Sequence, residues 1–93
     1  MINLYQKTWA EIDIEIANRM VQLRKRKKIS QRELAVRSGV SLGSVKRFEQ
    51  TGEISLRSFT KLAIALEVEG ELESLFREVP FESIEEVING QTK

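Results

Sequence analysis

Apolar side chains return every three or four positions through most of this 93-residue chain, and polar caps cut that rhythm into five or six predicted helices with no convincing sheet. Thr8 with Glu11 reads as a capping box, so a first helix is predicted over 9–27, burying Ile12, Ile16, Met20 and Leu23. Residues 12–16 also alternate as a strand would, but the i, i+4 pattern continues beyond them and favours helix. Ser30 with Glu33 opens a second helix over 31–38, with Ile29 and Leu34 as hydrophobic staple. Ser41 repeats the start signal, with Val40 and Val45 as staple, for a third helix over 42–50, and Thr51-Gly52 breaks the chain again. Ser55 caps a fourth helix over 56–66, stapled by Ile54 and Phe59, which turns Phe59, Leu62, Ala63 and Leu66 inward. Leu72, Leu75 and Phe76 mark a fifth helix starting near Gly70 and ended by Pro80, and Ser83 with Glu86 caps a short last one carrying Ile84, Val87 and Ile88.

The second and third helices are spaced to cross closely. Ala35 keeps the second helix thin where the third passes over it, and Gly39 can take the left-handed conformation that stops a helix. Leu34, Val40, Val45 and Phe48 fill the remaining inward positions. The features agree in register across residues 30–51, which is the strongest local signal in the chain. The bland alternative is an ordinary helical hairpin.

The formal charge of +1 conceals its distribution. Residues 19–61 carry twelve Lys or Arg against Glu33, Glu49 and Glu53, a net of +9. Residues 62–93 carry eight Glu against Arg77 and Lys93, a net of −6, and residues 1–18 contribute −2. A basic middle between acidic ends is the footprint of phosphate binding confined to one face, which makes DNA the first partner to consider. The run RKRKK at 24–28 is the densest part, and it reads equally well as a solvated helix end whose cations suit the dipole. The chain has no cysteine or histidine, which removes disulfides, thiol chemistry and the usual zinc sites. No apolar run approaches the ~20 residues needed to span a bilayer, and the N-terminus is too polar for a signal peptide. A cytoplasmic protein without cofactor or metal is the expectation.

Three stretches, IANRMVQLRKRKKI, SQRELAVRSGVSLGSVKRFE and SLRSFTKLAIALEV, together resemble the Cro/C1-type helix-turn-helix regulators, the XRE family. The resemblance covers 16–76, leaving 1–15 as an N-terminal extension with the start of helix 1 and 77–93 as an acidic tail with a short helix. It implies an all-α, compact five-helix domain that dimerises on a two-fold operator and places its third helix in the major groove. A weaker resemblance, through SLRSFTKLAIALEVEGELESLF, extends to the antitoxins that accompany HipA-type kinase toxins.

With Val45 and Phe48 turned inward, Ser41, Leu42, Ser44 and Arg47, with Lys46 to one side, are expected to face the groove. Arg47 is the first candidate for base readout, because a guanidinium can pair with both guanine acceptors; the alternative is a phosphate contact or a surface ion pair. Leu42 offers only apolar contact, such as to a thymine methyl, and Gly43 offers no side chain, so shape readout would share the work. The resemblance implies that Gln31 at the start of the second helix faces a phosphate, and Arg32 beside it, Ser44, and Ser55, Arg57 and Ser58 at the start of the fourth are further candidate phosphate contacts.

Arg24 and Glu49 stand apart. The resemblance implies that they meet in a largely buried salt bridge, which removes Arg24 from the DNA contacts. Catalysis has little support, since the acids alternate along solvated helix faces and no glycine-rich phosphate loop is present. The ends of the chain decide between a free-standing repressor and an antitoxin. Trp9, Leu75, Phe76 and Phe81 belong to more apolar surface than a minimal five-helix domain needs, available to a homodimer or to a toxin.

Overall fold

Four helices start where a hydroxyl side chain takes over a backbone N–H that the helix itself leaves unpaired. Thr8, Ser30, Ser41 and Ser55 each accept from the amide three residues on, Glu11, Glu33, Ser44 and Ser58, at 3.0–3.1 Å. The computed structural model describes residues 6–78. Within them the helices are α1 (Trp9–Arg26), α2 (Gln31–Ser38), α3 (Leu42–Thr51), α4 (Leu56–Ala65) and α5 (Glu69–Glu73), and none of the described residues is in a strand. The helix expected over 83–88, Pro80 and Phe81 lie outside the described residues. The capping box at Ser30 is half made: the Glu33 carboxylate accepts instead from Arg37, one turn along the same helix.

Helix ends are made in two ways. Gly39 and Gly52 stop α2 and α3 in the left-handed conformation, φ +73° and +81°. At the ends of α1 and α4, Lys28 and Glu67 adopt the same conformation despite their side chains. In each case the next amide, Ile29 or Val68, reaches back to the carbonyl of Arg24 or Ala63, at 3.1 and 2.9 Å.

The helices pack around one core. α1 lies against α3, α2 against both α3 and α4, and α4 carries α5. Phe48, Leu34, Leu62, Leu66 and Val45 are its largest fully buried side chains, each contributing about 1.5–3 kcal/mol from burial. Phe48 meets Phe59 of α4 edge to face, ring centroids 5.6 Å apart.

The inward face of α1 differs from the expected one. Met20 is buried and Leu23 half-buried as expected, but Ile12 and Ile16 are exposed, and Ala17 and Arg24 are buried in their place. Ala17, Met20 and Arg24 share a stripe at helical spacing with Asp13, so the face is turned by one residue from the one the larger apolar side chains mark. α5 is also shorter than expected: Leu72 is half-buried against the core, but Leu75 and Phe76 follow the helix and are exposed.

Arg24 reaches the interior with its charge fully engaged. Its Nε and Nη2 donate to the two carboxylate oxygens of Glu49 at 2.7 and 2.9 Å, and its Nη1 donates to the Ile29 carbonyl at 2.9 Å. Gln31 Nε2 donates to the same carboxylate at 2.8 Å. The Arg24 and Glu49 side chains are 10% and 8% exposed, so α1, the α1–α2 turn, the start of α2 and the end of α3 meet at one nearly dry ion pair.

Two stability predictions follow from these contacts. Glu49→Ala leaves a buried guanidinium without its anion and is expected to cost about 3–5 kcal/mol, whereas Arg24→Met combined with Glu49→Leu costs less than Arg24→Met or Glu49→Leu alone. Urea titrations of the four variants check this. Gly39→Ala should cost about 1–2 kcal/mol, the left-handed penalty alone, since nothing lies within 4 Å of the added carbon. Gly52→Ala should cost more, because its Cβ would sit 2.8 Å from the Asp13 carbonyl carbon. Equal shifts in melting temperature would contradict that contact.

Candidate nucleic-acid interface

α3 owes its solvent face to the side chains it buries. Val45 and Phe48 point inward, which leaves Gly43, Ser44, Lys46, Arg47 and Gln50 exposed. Leu42 departs from the expected outward position: it is half-buried and packs on the core, because a spacing of three from Val45 sets it beside the inward stripe. Only part of its surface remains for a ligand. Ser41 is occupied by the cap, and its Oγ lies 2.8 Å from Ser44 Oγ. The Ser44 hydroxyl can still donate outward.

Arg47 does not wave freely. Its Nε and Nη2 both donate to Oε2 of Glu53, at 2.8 and 2.5 Å. Glu53 follows the glycine that stops α3, and it carries no local signal that would bring it to the site. The only sequence hint is a carboxylate six positions beyond an outward arginine, across a helix-ending glycine.

Two helix starts flank α3. At α2, Arg32 is exposed, whereas Gln31 is half-buried and turns its amide nitrogen onto Glu49. Its side chain is thus held inside the buried ion-pair cluster, and outward interaction falls to the free backbone amides of the first turn. At α4, Arg57 is exposed, Ser55 is held as the cap, and Ser58 is half-buried. Ser44, Arg47, Glu53, Ile54, Ser55 and Ser58 line one groove between α3 and the start of α4. That groove combines a guanidinium with three hydroxyls, donors suited to phosphate oxygens and to the acceptors on base edges.

Of the run at 24–28, Arg24 is buried and Lys25, Arg26, Lys27 and Lys28 are exposed. Trp9 and Phe76 are 77% and 82% exposed, with Ile12, Leu56, Ile64 and Leu75 also exposed. Among the described residues, no group of three or more acidic side chains is arranged to hold a metal ion, and no helix is long and apolar enough to cross a membrane.

Comparison with known families matches residues 20–72, from within α1 to within α5, to the helix-turn-helix family. No curated protein matches the chain. The matched segment is more than half of the sequence and contains the α2–turn–α3 unit with the helices that brace it. The chain therefore belongs to the Cro/C1-type helix-turn-helix family of DNA-binding regulators.

Proposed function

We propose that this protein is a homodimeric repressor that binds a specific double-stranded operator, its own promoter among its targets, and reads the major groove with α3. The observation that carries the reading is the solvent face of α3. It sets Ser44, Lys46 and Arg47 between the starts of α2 and α4, within the segment that holds the chain's net +9 charge. Arg47 reads a guanine, Ser41, Ser44 and Lys46 contribute polar contacts, and the exposed part of Leu42 meets an apolar edge such as a thymine methyl. The first turns of α2 and α4 hold phosphates through their free backbone amides, at Gln31 and Ser55 onward, and through the side chains of Arg32, Arg57 and Ser58, and set the register of the protein on the duplex.

A second reading is that of an antitoxin in a type II module, binding a HipA-type toxin as well as operator DNA. The exposed Trp9, Leu75 and Phe76 are compatible with it, since large apolar side chains left in water are the usual anchors of a protein partner. The same side chains serve a homodimer equally well. A pull-down from the native cell with the full chain separates the two: promoter DNA alone supports the repressor, and a stoichiometric kinase-sized polypeptide with that DNA supports the antitoxin.

Binding panels test the residue roles. Arg47→Ala should relax preference at one base pair by about 1–3 kcal/mol while leaving affinity for unrelated sequences nearly unchanged. Arg57→Ala should weaken all sequences alike and lower the slope of log affinity against log salt by about one. The reverse pattern would overturn both assignments.

A further inference from the structure

Resting on the reading of Arg47 as the base-contacting arginine, we propose that Glu53 determines specificity by holding that guanidinium in its reading orientation. Glu53 is a positioning residue, acting on DNA through Arg47. Nε and Nη2 of Arg47 converge on a single oxygen, Glu53 Oε2, so the carboxylate occupies the side edge of the guanidinium. The end edge stays free, with one N–H of Nη1 and the second of Nη2. That end edge is the fork that matches the paired N7 and O6 acceptors of guanine.

The carboxylate is itself held in place. Thr51 Oγ1 donates to the Arg47 carbonyl at 2.7 Å and accepts from the Glu53 amide at 3.1 Å. With the ion pair, these bonds close a ring through Arg47, Thr51 and Glu53. Gly52, between the last two, is left-handed and sits so near the Asp13 backbone of α1 that a side chain there would have no room.

Stability does not account for the pair. The Arg47 and Glu53 side chains are 70% and 57% exposed, and ion pairs this wet contribute little to folding. Affinity does not account for it either, since a carboxylate on a phosphate-facing surface opposes binding to every sequence. Specificity does. Tied to Glu53, Arg47 is denied the swing to a nearby phosphate that would make its contact independent of sequence, and a device that trades affinity for discrimination has this form.

The test uses the duplex that the wild-type chain selects from a fully randomised library, together with its single-base-pair variants and one unrelated duplex. Wild type, Glu53→Gln, Arg47→Ala and the double variant are titrated against each. Arg47→Ala identifies the G·C pair that it reads. Glu53→Gln should lower discrimination at that same pair by at least about fivefold, the low end of what one bidentate arginine supplies. It should also bind the unrelated duplex more tightly and melt at the wild-type temperature. In the Arg47→Ala background, Glu53→Gln should leave discrimination unchanged. Wild-type discrimination in Glu53→Gln, with Arg47→Ala relaxed, overturns the role of Glu53 alone. If Arg47→Ala relaxes no pair, the base-reading assignment of Arg47 falls and takes this inference with it.

Discussion

The Arg24–Glu49 ion pair fastens the end of α3 to the rest of the domain, and the exposed face of that helix depends on it. A guanidinium removed from water requires both an anion and partners for its remaining N–H groups, and here it finds them on two separate elements: the Glu49 carboxylate near the end of α3 and the Ile29 carbonyl in the turn before α2. The orientation of α3 against α1 is thereby specified by directional bonds, which apolar packing between Val45, Phe48 and Ala17 would leave looser. Gln31 joins the same carboxylate, so the first residue of α2 is registered to the far end of α3. The two helices of the motif are clamped at opposite ends of their path: by a short glycine turn where they connect, and by charge where they diverge.

This division explains how a small domain can hold the solvent face of α3 in a fixed orientation. The core side of α3 is apolar and fully buried, its end is fastened by an ion pair, and its start is fixed by the Ser41 cap. The outward side chains are then free to be chosen for a ligand without cost to the fold. α4 extends the arrangement, since Phe59 against Phe48 brings its capped start beside Ser44 and Arg47.

The helices were largely legible because their starts are local chemistry. Each of the four hydroxyl caps sits one residue before its helix, and the glycines at 39 and 52 mark two of the ends. The ends of α1 and α4 carry no such mark, because Lys28 and Glu67 take left-handed conformations that side chains ordinarily avoid. The buried face of α1 was misread for a related reason. Its stripe runs through Asp13, Ala17, Met20 and Arg24, two of them charged and one small, so hydrophobic periodicity pointed to the larger Ile12 and Ile16 beside it. Residue contacts across the site were least legible. Glu53 meets Arg47 only after the chain turns at Gly52, and Gln31 meets Glu49 across eighteen positions, separations at which no periodic pattern operates.

The close seat of Gly52 on Asp13 has a consequence for any exchange of recognition sequences between relatives. An arginine transplanted on residues 42–50 alone would arrive without its carboxylate and without the turn that aims that carboxylate back at the helix. The unit that must travel together ends at residue 53, three positions beyond the expected recognition helix. It also requires a recipient whose first helix leaves room, at the position of Asp13, for the bare backbone of Gly52. Modularity in this fold is bounded by where α1 lies, an element outside the helix-turn-helix unit itself.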